Sequence, residues 1–222
     1  MAITKLAILG LGSRSTLFYI KELNELYNKV KGGYSTCPFL LLNTDFNAIN
    51  SLLPNTSSAL DNVVFKYISD IKKLTVPYLL IPNITLHETV DRLNVAVQIL
   101  HPIHLSIQKI KEKKLNRVVL FGSLFSMTAS YIKHQFKTNS IEVISPNKED
   151  MLFIDDVRKA IYNETETVEL IQKYHSVLNK YSANNIVVIS CTELSILNPK
   201  DNFNSLDMAQ LQIKEAVKLI TV

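Results

Sequence analysis

The sequence predicts an α/β fold of two similar halves, each a parallel sheet covered by helices. Three observations predict it: apolar runs without polar alternation, helical spacing between those runs, and a strand–glycine–helix segment that occurs twice. The runs are "KLAILG" (5–10), "PFLLLN" (38–43), "YLLIPN" (78–83), "RVVLFG" (117–122), "IEVISP" (141–146) and "NIVVIS" (185–190). Runs this short, bounded by turn residues and apolar throughout, are what strands buried on both faces require, and such strands belong to parallel sheets. Segments 16–30, 86–100, 126–137 and 166–182 carry helical spacing, and 205–220 reads as a closing helix. No linker or low-complexity stretch interrupts the order.

The repeat lies in "GLGSRSTLFYIK" (10–21) and "GSLFSMTASYIK" (122–133), which pair Gly10 with Gly122, Thr16 with Thr128 and Tyr19 with Tyr131. A similar offset pairs Asn83 with Cys191 and Thr85 with Glu193. Any strand–glycine–helix start shares some of these residues, but three corresponding places in order favour duplication. The expected halves are 1–99 plus 208–222, and 100–207, related by a pseudo-twofold. Open parallel sheets bind ligands beyond the carboxyl ends of their strands. The expected site is therefore a cleft between the halves, with Asn83 and Cys191 on opposite sides of a ligand.

Composition narrows the function. The 222 residues are 47% hydrophobic and 20% charged, with a net charge of +4, as in an ordinary globular protein. The densest basic stretch, "QKIKEKKLNR" (108–117), lacks interleaved aromatics and reads as the solvated end of a helix, so no nucleic-acid partner is expected. The opening "MAITKLAILGLGS" runs straight into a glycine turn and reads as a buried first strand, not a secretory signal. No stretch approaches the roughly 18 apolar residues of a membrane span. Cys37 and Cys191 give neither a disulfide framework nor a metal spacing, and a reducing cytoplasm is expected.

Several motifs carry a plain reading beside a chemical one. Gly10-Leu11-Gly12 with Asp45 has the start of a dinucleotide fingerprint, but the third glycine is Ser15 and the spacing to Asp45 is long. His87, His101 and His104 lack a paired carboxylate spacing, and local hydrogen bonding explains them better than zinc. Ser123 and Ser126, at the Gly122 turn, cap a helix and at the same time offer hydroxyls to a carboxylate. Cys37 is assigned to packing.

Cys191 ends a strand and precedes "TELSIL", where the amides of a starting helix favour an anion. A racemase needs two groups on opposite faces of a stereocentre, one to remove a proton and one to return it. A lone cysteine at a strand end is otherwise buried packing.

"ILGLGSRSTLFYIKELNE" (8–25), "GGYSTCPFLLLNTDFNAI" (32–49), "TLHETVDRL" (85–93), "FGSLFSMTASYIKHQF" (121–136), "AIY" (160–162), "SCTELSILNP" (190–199) and "LDMAQLQIKEAV" (206–217) follow one another as in the aspartate/glutamate racemase family, which the whole chain resembles. The resemblance implies two pseudo-symmetric α/β domains, a homodimer, a small carboxylate or amino-acid ligand between two cysteines, and no PLP, nicotinamide or metal. By resemblance Cys191 stands at the second catalytic cysteine, with Thr192 and Glu193 in their motif places. Thr85 and His87 match the "Asn-Thr-x-His" after the first catalytic position, which here is Asn83, followed by Ile84.

The departures cluster. The family's Gly-Gly-Met opening is Leu9-Gly10-Leu11, and the basic residue after the second strand falls near Asn50 or Ser51. A second basic residue, expected after Ile-Tyr, is replaced near Thr165 or Glu166, and the C-terminal Asp-Thr…His is Asp207, Met208 and Gln212. A carboxamide neither donates nor accepts protons usefully near neutral pH. Cys191, Asn83 and Thr85 are accordingly the candidate catalytic positions. Gly12, Arg14, Ser15, Ile84, Ser123, Ser126, Thr192 and Glu193 are the candidate ligand contacts, with Arg14 the substitute carboxylate clamp. Three functions stay open: a racemase with a substitute second donor, a one-thiol decarboxylase or isomerase, and a catalytically degenerate member that binds a small carboxylate or a protein.

Overall fold

The computed structural model describes residues 4–199 and 204–221. The chain divides into two compact units, residues 1–101 with 212–222, and residues 102–211. In the first, the order is β1 (Leu6–Gly10), α1 (Ser13–Lys31), β2 (Leu40–Asn43), α2 (Phe46–Asn50), α3 (Ser58–Lys72), β3 (Tyr78–Leu80), α4 (His87–Val90) and β4 (Gln98–Ile99). In the second it is α5 (Pro102–Glu112), β5 (Arg117–Phe121), α6 (Leu124–Thr128), α7 (Ser130–Lys137), β6 (Glu142–Ile144), α8 (Lys148–Tyr162), α9 (Val168–Ser182), β7 (Ile186–Ile189), α10 (Thr192–Leu197) and β8 (Ser205–Asp207). The last helix, α11 (Met208–Thr221), begins in the second unit and ends in the first.

Each unit holds one four-stranded sheet, ordered β2-β1-β3-β4 in the first and β6-β5-β7-β8 in the second. Every pairing is parallel. The two orders are the same permutation, which is what duplication of one βα module leaves behind. The central strands are buried along nearly their whole length, β1 completely and β5 from Val118 onward. The edge strand β2 departs from that pattern, with Leu40 and Leu41 exposed.

Each unit has its own core. Ala7, Leu9, Leu60, Val64, Ile68 and Leu79 build the first, and Val119, Phe121, Ile154, Val157, Val187 and Ile189 the second. Fully burying one such side chain contributes about 1.5–3 kcal/mol. Glycine begins the turn after β1 and after β5 because the backbone is crowded there. A Cβ on Gly122 would sit 2.4 Å from Ser190 Oγ, and one on Gly10 would sit 2.5 Å from Asn43 Oδ1.

Three sequence expectations change. Segment 86–100 is not one helix: only His87–Val90 is helical, and Gln98–Ile99 pairs with Tyr78 and Leu79 as β4. Segment 126–137 is broken at Ala129, whose backbone is extended (φ −63°, ψ 153°) and separates α6 from α7. The closing segment 205–220 opens with β8 before turning helical at Met208. The first three residues of the apolar opening, and 200–203, lie outside the described residues. No helix among the described residues is long and apolar enough to cross a membrane.

Candidate active site

Cys191 lies just past β7, at the N-cap of α10, and is 8% exposed. Its Sγ donates a hydrogen bond to Glu193 Oε2 at 2.9 Å. Burial pushes the thiol pKa well up, and the Glu193 carboxylate pushes it further, while Arg158 and the Leu194 amide favour the thiolate and are outweighed. The helix start was expected to leave an anion here. The resting group is instead a protonated thiol with a carboxylate in place to take its proton. Ser195 Oγ lies 3.2 Å from the Cys191 carbonyl and 2.9 Å from Asp207 Oδ1, so its one hydroxyl proton is shared between the two acceptors.

Asp207 ends β8 and caps α11, accepting from the Ala209 amide at 2.9 Å and the Gln210 amide at 3.1 Å. Burial pushes its carboxyl up to about 6 despite those donors. Tyr174, on α9, is fully buried with an unpaired hydroxyl. Burial first, then the Asp207 charge, pushes its pKa up, so it remains a neutral phenol.

The floor beside Cys191 is built by α8, which packs against α10 and α6. Asn147 caps α8 by accepting the Asp150 amide at 2.8 Å. About two turns past the cap the helix presents Asp155, which receives the Leu124 amide at 3.0 Å, Arg158 Nε at 3.0 Å and Lys159 Nζ at 2.8 Å. Burial opposes ionisation of Asp155, but Lys159, the Leu124 amide and Arg158 outweigh it and hold its carboxyl below the usual range. Ser123 Oγ accepts the Ser126 amide at 3.1 Å, and the two hydroxyls lie 2.9 Å apart. The start of α6 is thus engaged by the protein's own groups. Thr192 is buried beside the thiol.

In the first unit the corresponding loop follows β3. Asn83 Oδ1 accepts the Leu86 amide at 3.0 Å, and His87 Nδ1 donates to the Asn83 carbonyl at 2.8 Å. The two loops correspond in detail. At +3 stand the Leu86 and Leu194 amides, and at +4 His87 and Ser195 each reach back to the carbonyl of the first residue. Asn83 therefore caps its turn where Cys191 carries a thiol. His87 is fully buried, its ring 4.6 Å edge-to-face from His101, and Nε2 has no partner. Burial, then the neighbouring His101, hold its pKa well below the ordinary histidine range, so it is neutral. His101 Nε2 lies 3.2 Å from Asp91 Oδ1.

The other expected contacts fall as follows. Ile84 is buried and Thr85 half-buried in the Asn83 turn. Gly12 is the N-cap of α1, Arg14 is half-buried and Ser15 is buried in its first turn, and Thr16 Oγ1 accepts the Leu11 amide at 3.0 Å. Asp45, the acidic residue of the partial dinucleotide fingerprint, caps α2 by accepting the Asn47 amide at 3.1 Å. Gln212 is fully buried, where it accepts from Tyr19 and donates to the Leu100 carbonyl at 2.6 Å. Cys37 is buried, and burial raises its pKa to about 11, in keeping with packing. Sequence reasoning missed Arg158, Asp155 and Ser195. The i, i+3, i+4 spacing of Asp155, Arg158 and Lys159, just before Ile161-Tyr162, was the available signal.

Two tandem four-stranded parallel sheets of one strand order, with a thiol–carboxylate pair after the third strand of the second, define an α/β protein of racemase architecture. Solved structures share that fold over nearly their full lengths. A candidate Asp/Glu racemase of Yersinia pestis matches with a TM-score of 0.83 and 18% identity, over 98% of this chain and 99% of that one. An aspartate racemase homologue of Pyrococcus horikoshii gives 0.82 and 16%, over 99% and 100%. The aspartate racemase of Picrophilus torridus gives 0.78 and 15%, over 97% and 93%. No protein-family model matches the sequence, and no curated protein matches it. The chain has the fold of the aspartate/glutamate racemases.

Proposed function

We propose that the chain is an amino-acid racemase-like protein that moves a proton at the α-carbon of a small amino-acid carboxylate without a cofactor, using Cys191 as its one thiol. The observation that carries this reading is the Cys191–Glu193 hydrogen bond of 2.9 Å at the end of β7. The racemase fold and the names of its structural neighbours support the reaction class. Glu193 takes the thiol proton, and the thiolate then removes the α-hydrogen. The electron pair left on carbon is delocalised into the substrate carboxylate. Return of a proton from the same sulfur restores the starting configuration, with sulfur-bound hydrogen exchanging with solvent through Glu193.

The cap formed by Asn83 favours one-sided chemistry, since its oxygen is spent on the Leu86 amide and a carboxamide is not a proton carrier. Incubation of D- and L-amino acids in D₂O tests the proposal. One enantiomer of a small amino acid should gain α-deuterium, and Cys191→Ala should abolish the gain. Deuterium incorporation that survives Cys191→Ala would refute the role of the thiol.

A further inference from the structure

Resting on the reading above, we infer that Arg158 is the carboxylate receptor of the Cys191 site, its guanidinium fork binding the ligand's α-carboxylate and setting the adjacent carbon against the sulfur. Arg158 lies on α8, which packs on the helix that Cys191 begins. Its side chain is 25% exposed, and its single hydrogen-bonded contact among the described residues is Nε to Asp155. The two Nη groups remain for a ligand, in the planar geometry that matches a carboxylate bidentately. Asp155 does not need Arg158 for neutralisation, since Lys159 already pairs with it at 2.8 Å. Two other cations of this unit are committed elsewhere: Lys180 to Asp150, and Arg117 to Glu142 at the exposed end of β5. The start of α6 is filled by Asp155 and Ser123, which leaves the anion to Arg158. Burial opposes the charge on Arg158, and the two carboxylates near it, Asp155 and Glu193, sustain it.

The test compares unmodified protein with Arg158→Gln and Arg158→Lys. The probes are D- and L-aspartate, D- and L-glutamate, D- and L-alanine, and the α-amide of L-aspartate. Calorimetry gives Kd without turnover, deuterium exchange gives KM and kcat, and alkylation of Cys191 across pH reports the thiol. Arg158→Gln should raise Kd and KM for the bound amino acid about 10- to 100-fold, with the loss falling on KM rather than kcat. Arg158→Lys should recover part of it, and the α-amide should bind weakly to every variant. Unchanged Kd in Arg158→Gln would overturn the assignment, as would a displaced alkylation profile at constant Kd, which would make Arg158 a tuner of the thiol. Arg158-dependent binding without exchange would sustain the receptor and refute the proposed chemistry. Exchange with KM independent of Arg158 would do the reverse. Binding of none of the probes would overturn the receptor.

Discussion

A thiol next to a carboxylate at 2.9 Å costs little at rest and much once ionised, because burial and the Glu193 charge both oppose the thiolate. The pair makes sense when the proton is meant to travel. Removing the charge should separate the two roles of Glu193. In Glu193→Gln the thiol should alkylate faster near pH 8, because the opposing charge is gone. Exchange should slow by about 100-fold or more, because the base is gone. Slower alkylation, or unaltered exchange, would contradict the pairing. Asp207 gives a second handle at this scale. Its carboxyl is near 6 when folded, above the ordinary 3.8, so the folded state holds the proton more tightly than the unfolded state does. Its contribution is fully present below about pH 4 and is lost as pH rises through 6, a change of roughly 3 kcal/mol. His87 acts in the opposite sense, its neutral folded form losing stability as pH falls below about 6.5. Asp207→Asn keeps an oxygen for the Ala209 and Gln210 amides. It should raise the melting temperature at pH 7.5 more than at pH 4.5, and parallel shifts at both would rule out this origin.

The loops after β3 and β7 show how one element is used for two purposes. Both turn after a buried strand, and both have a +4 side chain tied to the first carbonyl. Asn83 fills the first residue's place with a cap, and Cys191 fills it with a thiol hydrogen-bonded to Glu193. Asn83→Ala should cost about 1 kcal/mol through loss of the Leu86 bond, read as a lower melting temperature, while α-exchange persists. Loss of exchange at unchanged stability would give Asn83 a chemical role. The correspondence of Asn83 with Cys191 was legible in the sequence, because strand-end runs and their offset are local features. Segment 86–100 was not, because its apolar residues report burial and not backbone. Leu86, Val90 and Val97 do pack into the core, yet most of them do so from turns. Strands of two and three residues, such as β4 and β8, are too short for any periodicity to mark. Arg158 escaped notice for another reason. Its importance depends on the packing of α8 against α10, a tertiary fact that spacing along the chain does not express.

At the scale of the whole molecule, two sheets of one strand order and two loops of one design are what duplication of a single module leaves behind. The duplication kept the scaffold on both sides and the thiol on one. A polar position in the first unit is instead tied into the scaffold: Gln212 is locked between Tyr19 and the Leu100 carbonyl. Chemistry at a stereocentre should then be one-sided. The most direct measurement is the ratio of α-deuterium exchange to inversion in D₂O, taken by mass spectrometry and chiral chromatography on the same samples. Exchange of one enantiomer with retained configuration, running at least tenfold ahead of inversion, is the predicted result. Inversion at the rate of exchange, with both enantiomers labelled, would show that a second proton carrier stands opposite Cys191 and would contradict the account.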